Sequence, residues 1–307
     1  MSFEFRPEQG ALFDLSARAK LRLTGADRLR YLNGQVSNDV RKATDAQAIH
    51  ACVLTAKGKI NADVFISVDG DSLLLDSDPQ MGEALAARLE RYIIADDVLI
   101  EDVTEQFSLF HVTREAPPTA PADSRSLRAE RFGCPGTDIW VGSGRHAEVF
   151  AELSMRFRVC DRDCAETFRI ERGVPRWGME LSDEIIPTEA NLEAATVDYA
   201  KGCYIGQEVI SRIKMSGQTN KRLCGIVADS RGRLDAGMRL LTADADAKDV
   251  GWITSVAESA RVGRQIGLGF IKRGHQEIGG RLAAVRAGGS AAGAIPVEVV
   301  QLPFVQD

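Results

Sequence analysis

The first third of the chain alternates between short apolar patterns typical of strands and longer ones typical of helices. Leu21 and Leu23 alternate with polar neighbours, which predicts a strand. Met81, Leu85, Leu89, Tyr92 and Ile93 recur on one face of a predicted helix of about four turns. Further strands are predicted at 48–54 and 60–68, joined by a hairpin at 56–59, and at 73–75, 98–103 and 107–112. The pattern indicates mixed strands and helices.

The pattern changes along the rest of the chain. Residues 114–126 are rich in proline, alanine and serine, which predicts a surface loop. A strand at 139–141 and helices at 147–153 and 166–172 follow. After residue 215, short apolar runs are separated by glycine, which favours a small antiparallel barrel or sandwich. These runs are 223–227, 238–241, 252–256, 266–271, 282–285 and 297–302.

Length and composition exclude several classes of protein. At 307 residues the chain is too long for one core, so two or three domains are expected. Apolar residues make up 44% and charged residues 27%, as in globular proteins. The net charge of −6 argues against direct binding of nucleic acid. No apolar run approaches the roughly 20 residues of a membrane helix. No secretory signal is visible, so we expect a cytoplasmic location.

The cysteines and histidines do not predict a metal site. Six cysteines in a chain of this length do not make a disulfide scaffold. Cys160 and Cys164 are the one close pair, and their spacing is not that of a zinc knuckle. The four histidines are scattered along the sequence. We therefore expect no metal ion held by the protein.

The segment 201–208 is the stretch richest in chemistry. It contains a cation, a thiol, a phenol, an amide and a carboxylate around two glycines, and a helical pattern follows it. Cys203 lies ahead of this helix and near Lys201, two features that favour a thiolate. The alternative is a helix-entry turn whose cysteine is buried. The residues alone leave both interpretations open.

A second glycine-rich segment matches a nucleotide-binding pattern. Residues 142–147 follow a predicted strand and open a predicted helix, as in the relaxed dinucleotide fingerprint. Asp161 and Asp163 lie at about the distance expected for a ribose contact. No second alternating strand–helix unit follows, however. We therefore interpret the segment as a glycine turn between a strand and a helix.

The segment 201–208, KGCYIGQE, closely resembles the signature of the YgfZ-type folate-binding proteins, relatives of the glycine-cleavage T-protein (aminomethyltransferase). Other blocks agree in the order that this superfamily has them. They are LFDLS at 12–16, TGAD at 24–27, YLNGQ at 31–35, GKINAD at 58–63, FRIERGVP at 168–175, IPTEANL at 186–192, GWITS at 251–255 and IGLG at 266–269. The resemblance therefore covers nearly the whole chain.

The resemblance implies an α+β fold of three subdomains around a central folate cleft, with a C-terminal antiparallel β-barrel. It implies a folate-binding region at 1–215, made of two intertwined subdomains, and a barrel domain at 216–307. The implied cofactor is tetrahydrofolate or a one-carbon derivative. The implied partners are iron–sulfur assembly proteins or client enzymes, and the implied state is a monomer without membrane contact. In a eukaryote the location would be the mitochondrial matrix.

Two carboxylates are predicted by the resemblance to contact the folate. Glu171 lies in the segment that resembles the pterin-binding helix, and a carboxylate accepts a pterin amino group and ring N–H side by side. The alternative is a solvated glutamate between Arg169 and Arg172. Asp63 falls at the second of two adjacent T-protein aspartates, and Ala62 replaces the first. That departure puts aminomethyl transfer in doubt, although Asp63 also fits an outward polar position on a strand.

Within the segment 201–208, five side chains are candidate site residues. Cys203 is predicted to be the most reactive thiol or to contact an iron–sulfur client, with Cys160 and Cys164 as its competitors. Lys201 is predicted to activate this thiol or to meet the folate tail. Tyr204, Gln207 and Glu208 are further candidate folate contacts, although Tyr204 also fits a buried anchor of the turn.

Three functions follow from these predictions. The first is folate-dependent support of iron–sulfur cluster assembly or repair, including for radical enzymes that modify tRNA, with or without turnover of a substrate. The second is a tetrahydrofolate-dependent aminomethyl- or methyltransferase. The third is an interaction module that has lost folate. Ala62 and the thiol separate the first from the second, and folate titration separates both from the third.

Overall fold

The structure is a computed structural model that describes residues 10–113, 119–229, 232–244, 246–286 and 293–305. The chain divides into two compact units. The sheet unit combines the described part of Arg6–Cys160 with Leu192–Met215, and the barrel unit contains Asp161–Asn191 and Ser216–Asp307. The division into domains at 1–215 and 216–307 stays a prediction. The compact units differ from it because Asp161–Asn191 groups with the barrel.

The sheet unit contains two five-stranded sheets. Its strands are β1 (Ala11–Asp14), β2 (Ala19–Thr24), β3 (Ile49–Leu54), β4 (Ile60–Asp69), β5 (Ser72–Ser77), β6 (Leu99–Asp102), β7 (Phe107–Thr113), β8 (Arg125–Arg128), β9 (Gly136–Gly142) and β10 (Arg158–Val159). One sheet has the order β3-β4-β5-β2-β6 and the other β10-β1-β7-β9-β8. All pairings are antiparallel except β1 with β10.

Six α-helices connect or cover the strands in the described part of the chain. They are α1 (Arg28–Gln35), α2 (Gly82–Glu90), α3 (His146–Arg156), α4 (Arg162–Glu171), α5 (Glu193–Thr196) and α6 (Gln207–Ser216), of which α4 belongs to the barrel unit. The Asp161 side chain caps α4 by accepting a hydrogen bond from the Cys164 amide at 2.9 Å. Within the described residues, no helix has the length and apolar character needed to cross a membrane.

The sheet β3-β4-β5-β2-β6 has one apolar face and one partly charged face, because successive strand residues point to opposite sides. Buried aliphatic residues of β2 to β5 form the apolar face. They include Leu21, Leu23, Ala51, Val53, Ala62, Val64, Ile66 and Leu75. The opposite face carries Lys20, His50, Cys52, Asp63, Phe65 and Asp76. The candidate residue Asp63 therefore shares one face of this sheet with His50 and Asp76.

The barrel unit contains a closed six-stranded antiparallel barrel. Its strands are β11 (Lys221–Ala228), β12 (Arg239–Thr242), β13 (Asp249–Ser259), β14 (Arg264–Lys272), β15 (Arg281–Val285) and β16 (Ile295–Val300), in the order β11-β14-β13-β12-β15-β16. Ile226, Leu240, Ile253 and Ala284 are among its fully buried core residues. Helix α4 packs mainly against β13.

The α+β class and the C-terminal antiparallel barrel predicted from the sequence are confirmed. Each of the six apolar runs after residue 215 overlaps a barrel strand. Helix α2 is shorter than the predicted four turns, because the chain leaves the helix at Arg91. Of the predicted loop at 114–126, residues 114–118 lie outside the described residues, and β8 begins at Arg125.

The structure also supports the interpretation of residues 142–147 as a simple turn. Gly142 ends β9 and His146 begins α3, so strand, glycine and helix occur in the expected order. However, β9 pairs antiparallel with both β7 and β8. The dinucleotide fold requires parallel strands at this point. The segment therefore lacks the context that a nucleotide site needs.

Candidate functional site

Glu171 is the last residue of α4, and the residue is only 4% exposed. One carboxylate oxygen, Oε1, accepts a hydrogen bond from the Ser259 hydroxyl of β13 at 2.5 Å. No lysine, arginine or histidine of the described residues forms an ion pair with this carboxylate. The predicted alternative, a solvated glutamate, is therefore wrong, because Glu171 is buried.

Glu180 provides a comparison in the same unit. The residue is 1% exposed. Its oxygen Oε1 accepts from the hydroxyls of Thr254 and Ser255 at 2.7 and 2.5 Å. Its oxygen Oε2 accepts from the guanidinium of Arg169 and the amide of Arg176, both at 3.0 Å. Glu180 is thus fully paired, and it joins α4 to β13 through Arg169.

The contrast makes Glu171 a candidate binding group. A buried carboxylate without a cation is unfavourable unless hydrogen-bond donors compensate for its lost hydration. Ser259 supplies one donor to one of its two oxygens. A pterin edge offers two adjacent N–H donors, the arrangement that a carboxylate accepts best. The residues present therefore fit a pterin at Glu171.

Asp63 lies on β4 in the sheet unit and contacts a histidine that the sequence did not single out. Nε2 of His50, on the neighbouring strand β3, makes a short hydrogen bond with the carboxylate of Asp63. Burial raises the pKa of Asp63, but His50 and, more weakly, Arg18 and Arg131 bring this pKa below its usual value. Asp63 is therefore a charged partner of His50 rather than a solvated strand residue.

Ala62 faces the other side of the same strand. It is completely buried, and its register partner on β3 is Val53. Because adjacent strand residues alternate, side chains at 62 and 63 lie on opposite faces of this sheet. A carboxylate at position 62 would lie in the apolar layer and would not reach His50. Ala62, which replaces the first of the two T-protein aspartates, thus fits its apolar surroundings.

Lys201 has a buried side chain with a structural role. Its ammonium donates to the carbonyl oxygens of Asn33, Val36 and Asn38 at 2.7, 2.7 and 2.6 Å. These three bonds use all three of its hydrogens. Burial lowers the pKa of Lys201 to about 8, while Asp39 and Asp198 oppose this shift. The geometry favours an anchor of the chain after α1 over contact with a folate tail or activation of Cys203.

The other polar residues of the segment 201–208 divide into buried and exposed ones. Tyr204 is 8% exposed, and burial raises its pKa to about 12. It therefore matches the interpretation as a buried anchor. The side-chain oxygen of Gln207 accepts from the Tyr204 amide at 3.3 Å. Glu208 lies in the first turn of α6 and is exposed, with Arg212 one helical turn away at 2.7 Å. Folate contacts by these three residues stay predictions.

Cys203 is a free thiol and is exposed, unlike the other free cysteines. Cys52, Cys134 and Cys224 are free and buried. The prediction that Cys160 and Cys164 compete with Cys203 as free thiols is wrong, because both are disulfide-bonded.

The two glycines of the segment 201–208 have different roles. Gly206 has a φ of +88°, and a Cβ atom there would lie 2.6 Å from the Thr55 carbonyl oxygen. Gly58, with a φ of +71°, packs in the same way on Val209 of α6. The space beside Gly206 is therefore filled by the β3–β4 turn. A Cβ at Gly202 would meet nothing within 4 Å, so access to Cys203 is open on that side.

Sequence reasoning missed His50 and Glu180 because neither lies in a recognisable motif. His50 is the register partner of Phe65, two residues from Asp63, and only strand pairing brings the three together. The β3–β4 hairpin was predicted, so counting register outward from its turn was a usable signal for His50. Among the described residues, no group of three histidine, cysteine or acidic side chains is placed to hold a metal ion.

Known protein families match a part of each unit. Residues 6–113 match the GCVT N-terminal domain, and residues 221–306 match the glycine cleavage T-protein C-terminal barrel domain. The aminomethyltransferase T of the glycine cleavage system from Bartonella henselae superimposes with a TM-score of 0.83, over 97% of this chain and 86% of that one, at 17% identity. The chain belongs to the glycine cleavage T-protein superfamily.

Curated relatives within this superfamily carry different names. The tRNA-modifying protein YgfZ of Yersinia pseudotuberculosis is 28% identical over 73% of each chain. A mitochondrial iron-sulfur cluster assembly factor IBA57 homolog of Dictyostelium discoideum is 26% identical over 69% of this chain, which spans 61% of that relative. An aminomethyltransferase of Saccharopolyspora erythraea is 24% identical over 95% of this chain and 86% of its own length.

Proposed function

We propose that this protein binds a reduced folate and supports the assembly or repair of iron–sulfur clusters, including those of radical tRNA-modifying enzymes. The ligand is tetrahydrofolate or a one-carbon derivative. The observation that carries the proposal is the buried carboxylate of Glu171, which accepts a single hydrogen bond from Ser259. The names of the relatives related to YgfZ and IBA57 support the iron–sulfur part.

The other candidate residues support the proposal in different ways. Asp63 contributes a polar group on the charged face of its sheet, held by His50. Cys203 is the thiol available to iron–sulfur assembly proteins or client enzymes, because it is exposed and free. Glu208 is likewise exposed, at the start of α6. Lys201 holds the segment 201–208 in place through the three carbonyl oxygens that its ammonium contacts.

Calorimetric titration with tetrahydrofolate tests the folate part. Glu171→Gln keeps the shape of the side chain but presents an amide, so it should weaken binding by about 1–3 kcal/mol. Glu298→Gln, the same change on strand β16 of the barrel, is the control and should bind like the wild type. Equal affinity of the Glu171→Gln and wild-type proteins would overturn the assignment. Absence of binding by the wild type would favour the interaction module without folate.

The second candidate is a tetrahydrofolate-dependent aminomethyl- or methyltransferase. The aminomethyltransferase of Saccharopolyspora erythraea aligns with 95% of this chain, which favours it. Ala62 argues against a transferase. It lies in apolar surroundings, so Asp63 is the one carboxylate left where the T-protein has two adjacent aspartates. An assay with a lipoylated carrier protein and tetrahydrofolate separates the two. Turnover near 1 s⁻¹, about the ordinary range of enzymes, would establish the transferase.

A further inference from the structure

Phe65 forms the centre of a stack that holds His50 in place. The rings of His50 and Phe65 are parallel within 5°, with centroids 4.3 Å apart. The guanidinium carbon of Arg131 lies 4.2 Å from the centroid of the same phenyl ring. Phe65 is the register partner of His50 on β3 and of Asp76, which Arg131 binds, on β5, so its ring lies between His50 and Arg131. The plane of the imidazole is thereby fixed.

A buried ion cluster holds Arg131 against this stack. Arg131 donates two hydrogen bonds to Asp76, at 2.9 and 2.7 Å. It also contacts both oxygens of Asp138, at 2.7 to 3.0 Å. Arg131, Asp76 and Asp138 are each at most 8% exposed. The sheet unit therefore supports the orientation of one histidine with an extensive polar network, as preorganised sites require.

The two nitrogens of His50 have different surroundings. Nε2 pairs with Asp63. Nδ1 has no hydrogen-bond partner among the described residues, and it is not an enclosed atom. A carboxylate beside Nε2 keeps a proton there, and this leaves the lone pair of Nδ1 to accept a hydrogen bond. His50 thus presents an oriented acceptor.

Two other histidine–aspartate pairs occur in the described residues and lack this combination. His111 pairs with Asp138 but is fully buried, and its Nε2 is enclosed without a partner. His146 pairs with Asp14 on the surface, where both side chains are more than one-third exposed. His50 is half-buried, with 15% of its side chain exposed. It combines a fixed ring with an accessible second nitrogen.

We infer that His50 contacts the ligand of this protein, with Nδ1 accepting a hydrogen bond from a ligand N–H, and that Asp63 is a positioning residue that acts through His50. The inference rests on the proposed function, under which the ligand is a reduced folate whose reduced ring carries secondary amine N–H groups. It assigns Asp63 an indirect role, since this carboxylate holds Nε2 rather than the ligand.

Calorimetry with tetrahydrofolate tests His50 directly. His50→Phe keeps a flat ring on Phe65 and removes Nδ1, so affinity should fall about tenfold, the usual effect of one lost hydrogen bond. His146→Phe is the matched control, because it removes the other exposed histidine of an aspartate pair, and it should bind like the wild type. Thermal unfolding of both variants checks that the fold is retained.

Asp63→Asn tests the positioning role. The new amide can donate to Nε2 as well as accept from it, so the proton is no longer held at Nε2, and a ring that carries it on Nδ1 presents a donor in place of the acceptor. Nitrogen-15 NMR of the His50 ring should report this change of tautomer in the ligand-free protein. Tetrahydrofolate affinity should fall as in His50→Phe. The double variant should bind no more weakly than His50→Phe alone, because both changes remove one interaction.

The outcomes separate this inference from the proposed function. Binding by the wild type with unchanged affinity in His50→Phe would overturn the role of His50 and leave the folate assignment intact. A further loss in the double variant would overturn the indirect role of Asp63. Absence of tetrahydrofolate binding by the wild type would overturn the proposed function and this inference together.

Discussion

Glu171 and Glu180 are both buried carboxylates of the barrel unit, but within the described residues Glu180 accepts four hydrogen bonds and Glu171 accepts one. Paired buried carboxylates belong to the framework of a fold, whereas a poorly paired one persists when function requires it. This difference leads to opposite expectations for the stability of variants at the two positions.

Glu180→Ala should destabilise the protein by about 3 kcal/mol, because it leaves the guanidinium of Arg169 with one carboxylate fewer in a buried position. Glu171→Gln should change the free energy of unfolding by less than about 1 kcal/mol, since one serine hydroxyl is its partner. Urea unfolding followed by circular dichroism measures both. A larger loss in Glu171→Gln than in Glu180→Ala would mean that Glu171 is a structural residue.

Lys201→Met should destabilise the protein by about 3 kcal/mol, because three carbonyl oxygens lose a charged donor. Lys248→Met is the control. Lys248 is exposed and pairs with the equally exposed Asp246, so its loss should leave stability unchanged. Unfolding by urea measures the two variants side by side. A stable Lys201→Met protein that loses tetrahydrofolate binding would instead restore Lys201 as a ligand contact.

Gly206→Ala should destabilise the protein by about 2 kcal/mol or more, because a side chain at a φ of +88° is strained and would meet the Thr55 carbonyl. Gly202→Ala is the control in the same segment. A Cβ at Gly202 meets nothing within 4 Å, so the free energy of unfolding should stay close to that of the wild type. Equal losses in the two variants would contradict the close packing of Gly206 on the β3–β4 turn.

The element types of the fold could be predicted from the sequence because they depend on local periodicity. The six apolar runs after residue 215 each correspond to a barrel strand, and the β3–β4 hairpin follows its turn signal. The length of α2 could not be predicted, because the apolar Tyr92 and Ile93 continue the helical pattern beyond the point where the chain leaves the helix. Periodicity identifies an element more reliably than it identifies its end.

The candidate site could be predicted only in part, because its partners are distant in sequence. Glu171 was identified through a motif, but its burial and its contact with Ser259 depend on the packing of α4 against β13. The sequence predicts that Lys201 activates Cys203 or meets the folate tail. The three carbonyl oxygens that its ammonium contacts are distant in the sequence and give no local signal. Charged residues gain their roles from tertiary contacts, which no local pattern encodes.

Stability should decrease as the pH falls below about 6.5, because His111 resists protonation in the folded state. Burial lowers the pKa of His111, whose ring is fully buried and packs so closely on Gly136 that a Cβ there would lie 2.4 Å from it. In the unfolded chain this histidine takes up a proton near pH 6.5. The contribution of neutral His111 to the free energy of unfolding is therefore fully present above that pH. Below it, this contribution declines by up to about 1.4 kcal/mol per pH unit.

Urea unfolding between pH 7.5 and 5 measures the decline in stability. His111→Gln keeps a donor for Asp138 but does not titrate, so its stability should depend less steeply on pH over this range. Burial raises the pKa of Asp138, but Arg131 and His111 lower it to about 2, so this carboxylate does not contribute in the same window. Equal slopes for the variant and the wild type would contradict the assignment to His111.

Cys203 should react with iodoacetamide faster than any other cysteine of the chain. It is exposed and free, and Gly202 leaves its approach open. Burial raises the pKa of the Cys52 thiol, and it raises the pKa of Cys224 to about 11, so both should react slowly. Cys134 is also buried. Cys160 and Cys164 are disulfide-bonded and should be labelled only after reduction.

Limited labelling followed by peptide mass spectrometry, repeated from pH 6 to 9, ranks the four free thiols. If Cys203 is labelled no faster than Cys52 or Cys224, the segment 201–208 is a structural turn and the thiol has no special role. If Cys203 leads, Cys203→Ala decides whether its reactivity serves the function. The Cys203 thiol makes no hydrogen bond with the described residues, so the Cys203→Ala variant should fold like the wild type. Its failure to restore iron–sulfur enzyme activity in a deletion strain would then assign the function to the sulfur itself.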